Sequence, residues 1–435
     1  MSSIKAQIYD YFLKRSRYGL TEFFLKILYV FVCIIFGWFI ILPISLLIPR
    51  RGKYIIFIGR EKGYFIDNVK YLFLKFLKSD VKEYKPIFIT EDKQEYIKLK
   101  ELSINVVIYP SYEAIKLLLT CPIVVVDHDL WVFKLRFFLL YYAKKIQLWH
   151  GAGFKYIGIL KIKKEIQNPI LRLGLISLYR LIGLIPFYDI FISTSEFYTK
   201  EVFKKSFKAK SFIEAGYPRN DVIFRDIEEI FEEKLYFLNT DVEIIQKSIQ
   251  HKKEGGKIIL YAPTFRDSGG DPLNDRIINI EGLNEFCKKH AILFIIKFHP
   301  DPHFKYPEIK YSNVLSYNFK YDIYPLFSIL DILITDYSAI YTDFLLTKKP
   351  IIFFPYDFHK YIKDDRAIQF DYKIITPGVK CFTQNELYKE IIGILFKGKD
   401  MYMDKRREIL NQTFKYPDGK SSDRIINILL KQLEL

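Results

Sequence analysis

The sequence predicts an α/β protein with two Rossmann-like domains that face a cleft and a hydrophobic segment near the N-terminus. Short apolar runs alternate with helical patterns from residue 53 onward, and a second series of the same kind starts at residue 257. This βαβ rhythm is typical of doubly wound parallel sheets. The third observation concerns residues 27–49, which are 23 residues without a single charge.

In the first half of the chain, strands alternate with helices. The apolar runs predict strands at residues 54–58, 86–90, 106–109, 123–126 and 146–149. Helical patterns at residues 68–77 and 112–119 lie between successive strands. No GxGxxG motif follows any of these strands, so the usual dinucleotide-binding fingerprint is absent from the sequence.

A basic insert at about residues 155–188 interrupts this rhythm. The insert contains several lysines and arginines but a single acidic residue, Glu165, and leucines and isoleucines lie between these charged residues in the sequence. A basic amphipathic insert is typical of attachment to a membrane surface. A helix pair packed on the sheet, with merely solvated lysines, is the alternative.

The second half repeats the alternation and defines the domain boundaries. Its apolar runs predict strands at residues 257–261, 293–298, 314–316, 332–334 and 351–354. A charged, helical stretch at 223–256 is the candidate linker. The predicted parts are therefore a membrane-associated segment at 1–52, a first Rossmann-like domain at 53–222 and a second at 257–435. Two such halves predict the GT-B architecture.

The uncharged segment 27–49 is long enough to cross a bilayer. Its apolar stretch is too long for a secretory signal, and no small-residue cleavage site follows it. Both flanks are basic, and the positive-inside rule then favours the cytoplasm for both, which a single span cannot satisfy. Gly37 and Pro43 could instead break the segment into a re-entrant hairpin. Span and hairpin remain open, and a buried core helix is the third alternative.

Composition indicates an anionic partner. The formal net charge of the 435 residues is +16, which fits nucleic acid, an anionic lipid surface or a phosphate-rich substrate. No nucleic-acid module is recognisable, so a phosphate-containing substrate and a membrane explain the charge better. The four cysteines form no CxxC pair, so neither a zinc site nor a disulfide framework is predicted.

Residues 331–361 carry the clearest site signal, because they read as strand, loop, helix and strand. The loop contains Thr335, Asp336 and Ser338. In a parallel sheet, the carboxyl ends of strands lie beside helix N-termini, whose N–H groups and dipole attract anions. The loop therefore predicts a phosphate site, and a simple N-cap role for Ser338 is the alternative.

Five motifs together resemble the CDP-glycerol glycerophosphotransferases, a family that includes teichoic-acid primases and polymerases and related capsule polymerases. In chain order the motifs are Leu148-Trp149-His150-Gly151, Gly216-Tyr217-Pro218-Arg219-Asn220-Asp221, LYAPTFRD at 260–267, Lys297-Phe298-His299-Pro300, and Thr335–Ser338 with Asp343-Phe344. A weaker match, DGKSSDR, closes the chain at 418–424. The resemblance covers about residue 53 to the C-terminus. One departure is that Ala152-Gly153 replaces the family's Thr-Pro after WHG.

The resemblance implies transfer of glycerol phosphate from CDP-glycerol to an acceptor hydroxyl, with release of CMP. Such a reaction needs a base, stabilisation of the diphosphate and in-line positioning. His150 is the predicted base, since it follows a strand and imidazole titrates near neutrality. His299 is predicted to donate to a phosphate oxygen or to protonate the leaving group. Gly151 and Lys155 are assigned to the acceptor side.

The predicted donor contacts combine hydroxyls, carboxylates and guanidinium groups that follow strands. They are Thr264, Arg266, Asp267, Thr335, Asp336, Ser338 and Arg366. The Arg266 guanidinium gives a charged fork suited to phosphate. Arg219 and Asp221 are interpreted as donor-side residues or as an ion pair at the interdomain hinge. The triplet Asp127-His128-Asp129 looks like a DxD metal motif but lies in the wrong half for the donor, so no metal is assigned.

The first domain is therefore expected to bind the acceptor and the second the donor, at the cytoplasmic face of the cell membrane. No cofactor is expected besides the donor substrate CDP-glycerol. The expected partners are a lipid-linked or polymeric acceptor and an anionic membrane surface, without nucleic acid, and a homo-oligomer is compatible with the sequence.

Two competing hypotheses remain. One is a GT-B glycosyltransferase that uses a nucleotide sugar, and the other is a non-catalytic assembly protein. Glycerol and ribitol donors cannot be distinguished, nor can a primase and a polymerase.

Overall fold

The computed structural model describes residues 19–264, 266, 273, 277–298, 309 and 311–433. The described residues form two compact units. Unit 1 is drawn from Met1–His150, Tyr156–Ala215 and Ser422–Leu435, and unit 2 from Gly151–Lys155 and Gly216–Ser421. The predicted α/β class with two doubly wound parts is confirmed, whereas the units are less continuous in sequence than the predicted domains.

Unit 1 is built on a parallel sheet whose central strands are apolar and almost fully buried, whereas its edge strand Lys208–Glu214 has no buried residue. The strands are β1 (Tyr54–Ile58), β2 (Lys85–Thr90), β3 (Val106–Ile108), β4 (Ile123–Val126), β5 (Lys144–Gln147), β6 (Phe187–Ser193) and β7 (Lys208–Glu214). Their order in the sheet is β3-β2-β1-β4-β5-β6-β7. Continuous apolar strands of this kind are expected where helices cover both faces of a parallel sheet.

The helices of unit 1 include one long apolar helix near the N-terminus. They also include a helix from the C-terminal end of the chain, which is described below. Helix α1 runs through the consecutive segments Gly19–Val32, Cys33–Ile41 (a π-helical segment) and Leu42–Leu47. The others are α2 (Asp67–Leu77), α3 (Lys93–Glu101), α4 (Tyr112–Thr120), α5 (Arg136–Leu139), α6 (Gly158–Glu165), α7 (Pro169–Leu181) and α8 (Glu196–Tyr198, Thr199–Phe203 and Lys204–Ser206). A short 3₁₀ turn covers Leu130–Val132.

Unit 2 has a second parallel sheet of the same kind. Its strands are β8 (Lys257–Ala262), β9 (Ile292–Ile296), β10 (Val314–Ser316), β11 (Ile332–Thr335), β12 (Ile351–Phe353) and β13 (Val379–Lys380), in the order β10-β9-β8-β11-β12-β13. Isoleucines from four neighbouring strands, including Ile259, Ile296, Ile334 and Ile352, form the centre of its core and are fully buried.

Helices and 3₁₀ turns surround this second sheet. The helices are α9 (Ile227–Glu232), α10 (Val242–Lys253), α11 (Ile280–Lys289), α12 (Ile340–Phe344), α13 (Phe358–Asp364), α14 (Tyr372–Ile375), α15 (Gln384–Lys397) and α16 (Met403–Thr413). The 3₁₀ turns are Pro218–Phe224, Lys234–Phe237, Tyr324–Ser328 and Leu345–Thr347. The remaining helix, α17 (Ser421–Leu433), belongs almost entirely to unit 1.

Each sheet reverses its strand order once, and these reversals locate the candidate sites. In unit 1 the chain adds β2 and β3 on one side of β1 and then β4 on the other. In unit 2 it adds β9 and β10 on one side of β8 and then β11 on the other. Ligands of doubly wound sheets bind at the carboxyl ends of the strands beside such a switch point. The candidate sites are therefore at the carboxyl ends of β1 and β4 in unit 1 and of β8 and β11 in unit 2.

Two parts of the chain differ from the predicted domain boundaries. Helix α17 lies in unit 1, where Arg424 Nε donates to the Ala215 carbonyl at 3.0 Å and Lys75 pairs with Asp423 at 2.9 Å. The predicted linker at 223–256 folds as α9 and α10 within unit 2. Both differences arise from contacts between residues far apart in sequence, which local patterns do not report.

Candidate functional site

The switch point of unit 1 carries a cluster of ionisable side chains, here called the His150 cluster: Arg60, Asp127, His128, Asp129 and His150. Arg60 follows β1, the Asp127–His128–Asp129 triplet follows β4 directly, and His150 follows β5 after two residues. The predicted strand 146–149 ends earlier than expected, at Gln147. The chain therefore turns before the histidine rather than carrying it on the strand.

The backbone around Trp149 sets the position of His150. Trp149 has a positive φ of 60°, which is uncommon for a residue with a bulky side chain. The fully buried Asn68, at the start of α2, donates from Nδ2 to the Trp149 carbonyl at 2.7 Å. Gln147 Oε1 accepts from the Trp149 N–H at 2.9 Å. These two hydrogen bonds fix the backbone at Trp149. Since His150 is the next residue, they also fix the position from which its ring projects.

The hydrogen bonding of His150 assigns the roles of its two ring nitrogens. Nδ1 lies 3.0 Å from the Asp127 carbonyl oxygen, which can only accept, so Nδ1 carries the proton and the lone pair is on Nε2. The ring stacks on His128 with centroids 4.6 Å apart. Burial, followed by the nearby charges of His128 and Arg60, lowers the pKa of His150 well below its usual value. The imidazole is therefore neutral near pH 7 and can accept a proton at Nε2.

The triplet after β4 supports His150 and does not form the DxD arrangement. Asp127 Oδ2 accepts from the Val69 N–H at 3.2 Å, at the start of α2. Asp129 Oδ1 lies 2.7 Å from His128 Nδ1. Partial burial opposes the charge of Asp129, but the hydrogen bond from His128 outweighs it and lowers the pKa of Asp129 to about 2. Within the described residues, no group of three or more potential ligands is placed to hold a metal ion.

Gly151 and Lys155 lie in unit 2, although the sequence assigned them to the first domain. Gly151 has a φ of 149°, in the region that favours glycine. Lys155 pairs through its backbone with Ile368, and its Nζ lies 5.5 Å from the centre of the Tyr361 ring. The chain thus passes from unit 1 to unit 2 directly after His150 and returns at Tyr156.

The switch point of unit 2 carries a second set, here called the Arg266 cluster: Thr264, Arg266, Asp336, Tyr337, Tyr356, Asp357 and Tyr361. Thr264 and Arg266 follow β8, Asp336 follows β11, and Asp357 follows β12. Three adjacent strands thus deliver charged groups to one edge of the sheet, as the predicted alternation requires.

Arg266 is engaged inside the protein. Its Nε and Nη2 donate to the two carboxylate oxygens of Asp357 at 2.6 and 2.9 Å, and its Nη1 lies 2.8 Å from Asp336 Oδ2. Only 2% of the residue is exposed. Burial opposes the charge, but Asp336 and Asp357 outweigh it and raise the pKa of Arg266 further. With two carboxylates already paired to it, the guanidinium serves to hold the loops after β11 and β12 together.

Tyrosine rings enclose this guanidinium. Its central carbon lies 4.9, 5.4 and 5.1 Å from the ring centres of Tyr337, Tyr356 and Tyr361. Tyr337 and Tyr361 are stacked with centroids 3.8 Å apart. Tyr337 OH also donates to Asp357 at 3.1 Å. Cation–π contacts of this kind compensate for the loss of water around a buried charge.

The other predicted donor residues divide into buried and accessible groups. Thr335 and Asp336 are fully buried; Thr335 Oγ1 donates to the Ala262 carbonyl at 2.7 Å, and Asp336 Oδ1 accepts from the Thr264 N–H at 2.8 Å. Ser338 is half-buried, and its Oγ accepts a long bond of 3.4 Å from the Ile340 N–H. Ser338 Oγ thus accepts an N–H at the start of α12, so its position fits both the N-cap alternative and the predicted phosphate site.

Thr264 and Arg366 are the remaining predicted donor residues that the structure describes. The buried Thr264 Oγ1 has no hydrogen-bond partner among the described residues. Arg366 is exposed, and its charge acts on the Tyr361 hydroxyl. Asp267 and His299 lie outside the described residues, so their assigned roles stay predictions.

Arg219 and Asp221, interpreted as an ion pair at the hinge, both have partners elsewhere in unit 2. Arg219 Nη2 donates to the fully buried Asp343 at 2.5 Å, and Tyr324 OH donates to the same carboxylate at 2.8 Å. Asp221 accepts instead from the Ser421 N–H at 2.8 Å. The GYPRND motif and the Asp343-Phe344 pair, quoted as separate motifs, are therefore parts of one buried network in unit 2.

Besides Tyr356 and Tyr361, sequence reasoning missed three members of the clusters. His128 was noticed only as part of a DxD-like triplet, and Arg60 and Asp357 were not singled out. Each of them lies within a few residues of the carboxyl end of a strand. A search for polar residues after every predicted strand, rather than after strands with known motifs, would have found all three.

Comparison with known proteins identifies the family. Residues 40–431 match the model of the CDP-glycerol:poly(glycerophosphate) glycerophosphotransferase family. The chain belongs to this family. It is 31% identical over 293 residues to the teichoic acid glycerol-phosphate primase of Bacillus subtilis, covering 66% of this chain and 68% of the primase.

A second relative and a solved structure extend the comparison. The chain is 30% identical over 252 residues to the teichoic acid poly(glycerol phosphate) polymerase of Bacillus spizizenii, covering 56% of this chain but only 59% of that polymerase. The structure of the wall teichoic acid polymerase TagF is similar in fold, with a TM-score of 0.67 and 20% identity over 96% of this chain and 99% of that one. The fold and the family are therefore established together.

Proposed function

We propose that this glycerophosphotransferase moves glycerol phosphate, or a related polyol phosphate, from CDP-glycerol to an acceptor hydroxyl in the synthesis of a teichoic-acid-like or capsular polymer. Family membership supports the reaction class. The observation that carries the proposal is the WHG histidine. His150 has its lone pair on Nε2 and a lowered pKa, which is the state a general base needs at neutral pH.

In the proposed reaction, the acceptor oxygen attacks the phosphorus that bears glycerol. Its proton moves to Nε2 of His150 as the new phosphorus–oxygen bond forms. The bond between this phosphorus and the bridging oxygen of the diphosphate breaks, and CMP leaves with the electron pair. The imidazolium that forms keeps its Nδ1–H on the Asp127 carbonyl, while Asp129 compensates the positive charge through His128. His299 is proposed to act on the diphosphate or the leaving group.

The donor diphosphate is proposed to bind at the switch point of unit 2. Ser338 and Thr264 provide hydroxyl contacts, because Ser338 Oγ holds a long bond and Thr264 Oγ1 has no partner among the described residues. The exposed guanidinium of Arg366 adds a positive charge. Arg266 is a positioning residue in this proposal and not a direct phosphate ligand. By pairing with Asp336 and Asp357, it fixes the two loops on which the donor would rest.

The enzyme is proposed to work at the cytoplasmic face of the cell membrane on a lipid-linked or polymeric acceptor. Among the described residues, one helix, Ile27–Leu47, is long and apolar enough to cross a membrane. The net charge of +16 suits both a diphosphate donor and an anionic lipid surface.

A donor panel tests the proposed function. Purified enzyme is incubated with radiolabelled CDP-glycerol, CDP-ribitol or a UDP-sugar and a lipid-linked acceptor, and CMP release and acceptor labelling are both measured. Transfer from a cytidylyl polyol with equal amounts of CMP and labelled acceptor is expected. Transfer from the UDP-sugar alone would contradict the proposal and support a glycosyltransferase. His150→Asn should abolish transfer, whereas His290→Asn, at the end of α11, is the matched control and should not.

A further inference from the structure

The segment Gly151–Lys155, here called the strap, follows His150 directly and is embedded in unit 2. Ala152 and Phe154 are only 0 and 1% exposed, although the backbone of the segment is irregular. A buried irregular segment needs partners for its polar backbone groups and for its side chains. The partners of the strap therefore show which parts of unit 2 are connected to His150 through the chain.

The first half of the strap lies against the start of α12. A Cβ on Gly153 would lie 3.2 Å from the Cβ of Ala339, and a Cβ on Gly151 would lie 3.6 Å from the same atom. The first distance is shorter than an ordinary contact, so Gly153 allows an approach that a side chain would hinder. Ala339 follows Ser338, which is proposed to contact the donor. The strap thus rests on the loop that carries this serine.

Phe154 anchors the second half of the strap. Its ring centroid lies 5.9 Å from that of Tyr341 on α12 and 6.0 Å from that of Tyr372 on α14. Both distances are in the range of favourable aromatic pairs. Tyr372 OH donates to the Asp336 carbonyl at 2.9 Å. Since Asp336 and Ser338 lie in one loop, Phe154 contacts the helix that follows this loop and the tyrosine that holds its backbone.

The backbone of the strap also holds the segment that carries Arg366. The Gln369 N–H donates to the Phe154 carbonyl at 2.7 Å. Lys155 pairs with Ile368 in an antiparallel bridge. Arg366, which is proposed to add positive charge at the donor site, lies two residues before Ile368 in the chain. The strap is therefore attached to this segment as well as to the loop after β11.

We propose that Phe154 is a positioning residue for the transfer, which couples the donor-binding segments to His150 through the strap. This role rests on the proposed function, because it requires His150 as the base and the switch point of unit 2 as the donor site. Consecutive Cα atoms are about 3.8 Å apart, so a strap fixed in unit 2 limits where the backbone of His150 can lie. A donor that orders the two attached segments thereby restricts the base. Phe154 is fully buried, so it acts through His150 and not on the donor.

A double-mutant cycle separates this role from simple packing. Phe154→Ala should lower kcat by about 10²-fold, because misplacing a catalytic group by about 1 Å has an effect of that size. Phe154→Leu should restore most of the rate. Binding of CDP-glycerol, measured by calorimetry, should stay near the wild-type value because the donor contacts remain. In the His150→Ala background, Phe154→Ala should cause no further loss, since residues that act through one step are not additive. Multiplicative effects would overturn the proposal.

Phe414→Ala is the matched control for lost packing. Phe414 is also buried in unit 2, at the end of α16. Both alanine variants should unfold at a lower denaturant concentration than wild type, because each substitution leaves a cavity. The value of kcat is measured where near-ultraviolet circular dichroism shows both variants to be folded, and only Phe154→Ala should lose turnover. An equal fall of kcat in the two variants would show that lost packing explains the effect and would overturn the proposal.

Hydrogen exchange tests the coupling in the wild-type chain, without any substitution or turnover. Saturating CDP-glycerol, with no acceptor present, should slow the exchange of amides in the strap as well as in residues 366–369, as measured by mass spectrometry of peptides. Unchanged exchange in the strap would overturn the coupling even if the enzyme transfers glycerol phosphate. Absence of transfer from any cytidylyl polyol would instead overturn the proposed function, and with it this role of Phe154. The two failures are therefore distinguishable.

Discussion

At the scale of single residues, the two clusters use their charges differently. In the His150 cluster, burial and neighbouring positive charge keep an imidazole neutral. In the Arg266 cluster, two carboxylates and three aromatic rings keep a guanidinium charged although it is buried. The first arrangement favours proton transfer and the second favours rigidity. Substitutions in the two clusters should therefore affect different measured quantities.

Replacing His150 should affect turnover rather than donor binding. His150→Ala removes the proposed base, so kcat should fall by about 10²–10⁴-fold. Binding of CDP-glycerol, measured by calorimetry, should stay near the wild-type value because no donor contact is removed. If His150→Ala retained near-wild-type turnover, Nε2 would not be the proton acceptor.

The pH profile should report the tuning of His150 by His128. Because the pKa of His150 is lowered, the base is protonated only in acid, and kcat should fall below a pH that lies under about 6.5. His128→Asn removes the interaction with His128 that lowers the pKa of His150, so this acid limb should move upward in pH. If the acid limb of the pH profile stays at the same pH in this variant while kcat falls, the role of His128 is purely structural.

Replacing Arg266 should lower stability more than donor affinity. Arg266→Met leaves Asp336 and Asp357 without their buried counter-charge, which should reduce the free energy of unfolding by about 3–5 kcal/mol. Chemical denaturation measures this loss. Arg407→Met, on the exposed side of α16, is the control and should change stability by less than about 0.5 kcal/mol. A stable Arg266→Met variant with a strongly raised KM for the donor would instead support direct phosphate binding.

At the scale of elements, helix α17 shows how a segment that is distant in sequence can complete the core of a unit. Its apolar side, with Ile425 and Leu429, is fully buried, while Lys431 on the other side is exposed. The helix therefore completes the packing of unit 1, although its residues follow the whole of unit 2 in the chain.

Shortening one buried side chain of α17 should destabilise unit 1. Leu429→Ala should cost about 2–5 kcal/mol, because it leaves a cavity in a packed interface. All three tryptophans, Trp38, Trp131 and Trp149, lie in unit 1, so tryptophan fluorescence during denaturation reports this unit. Lys431→Ala should leave the transition unchanged. An unchanged transition in Leu429→Ala would show that α17 does not contribute to the stability of unit 1.

At the scale of the whole molecule, most strands of the two parallel sheets and their motifs were predictable, because each is a local pattern. The strands β6, β7 and β13 were not predicted. Most strand positions agree to within two residues. The partners of the motifs were not predictable, since Arg266 pairs with Asp336 and Asp357, which are 70 and 91 residues away. The contacts of α1 with α5 and α7 were not predictable either, because hydropathy reports only that a helix is apolar and not which residues pack against it.

Unit 1 is assembled from the beginning and the end of the chain, and this has a consequence during synthesis on the ribosome. Its sheet can form once residue 214 has emerged, yet the surface that receives Ile425 and Leu429 stays uncovered until α17 appears. Unit 2 occupies most of the intervening sequence, Gly216–Ser421. At about 5–20 residues per second, translating it takes on the order of 10–40 s. The nascent enzyme thus exposes the apolar surface that receives α17 for that period, and a chaperone that covers this surface would protect the chain from aggregation.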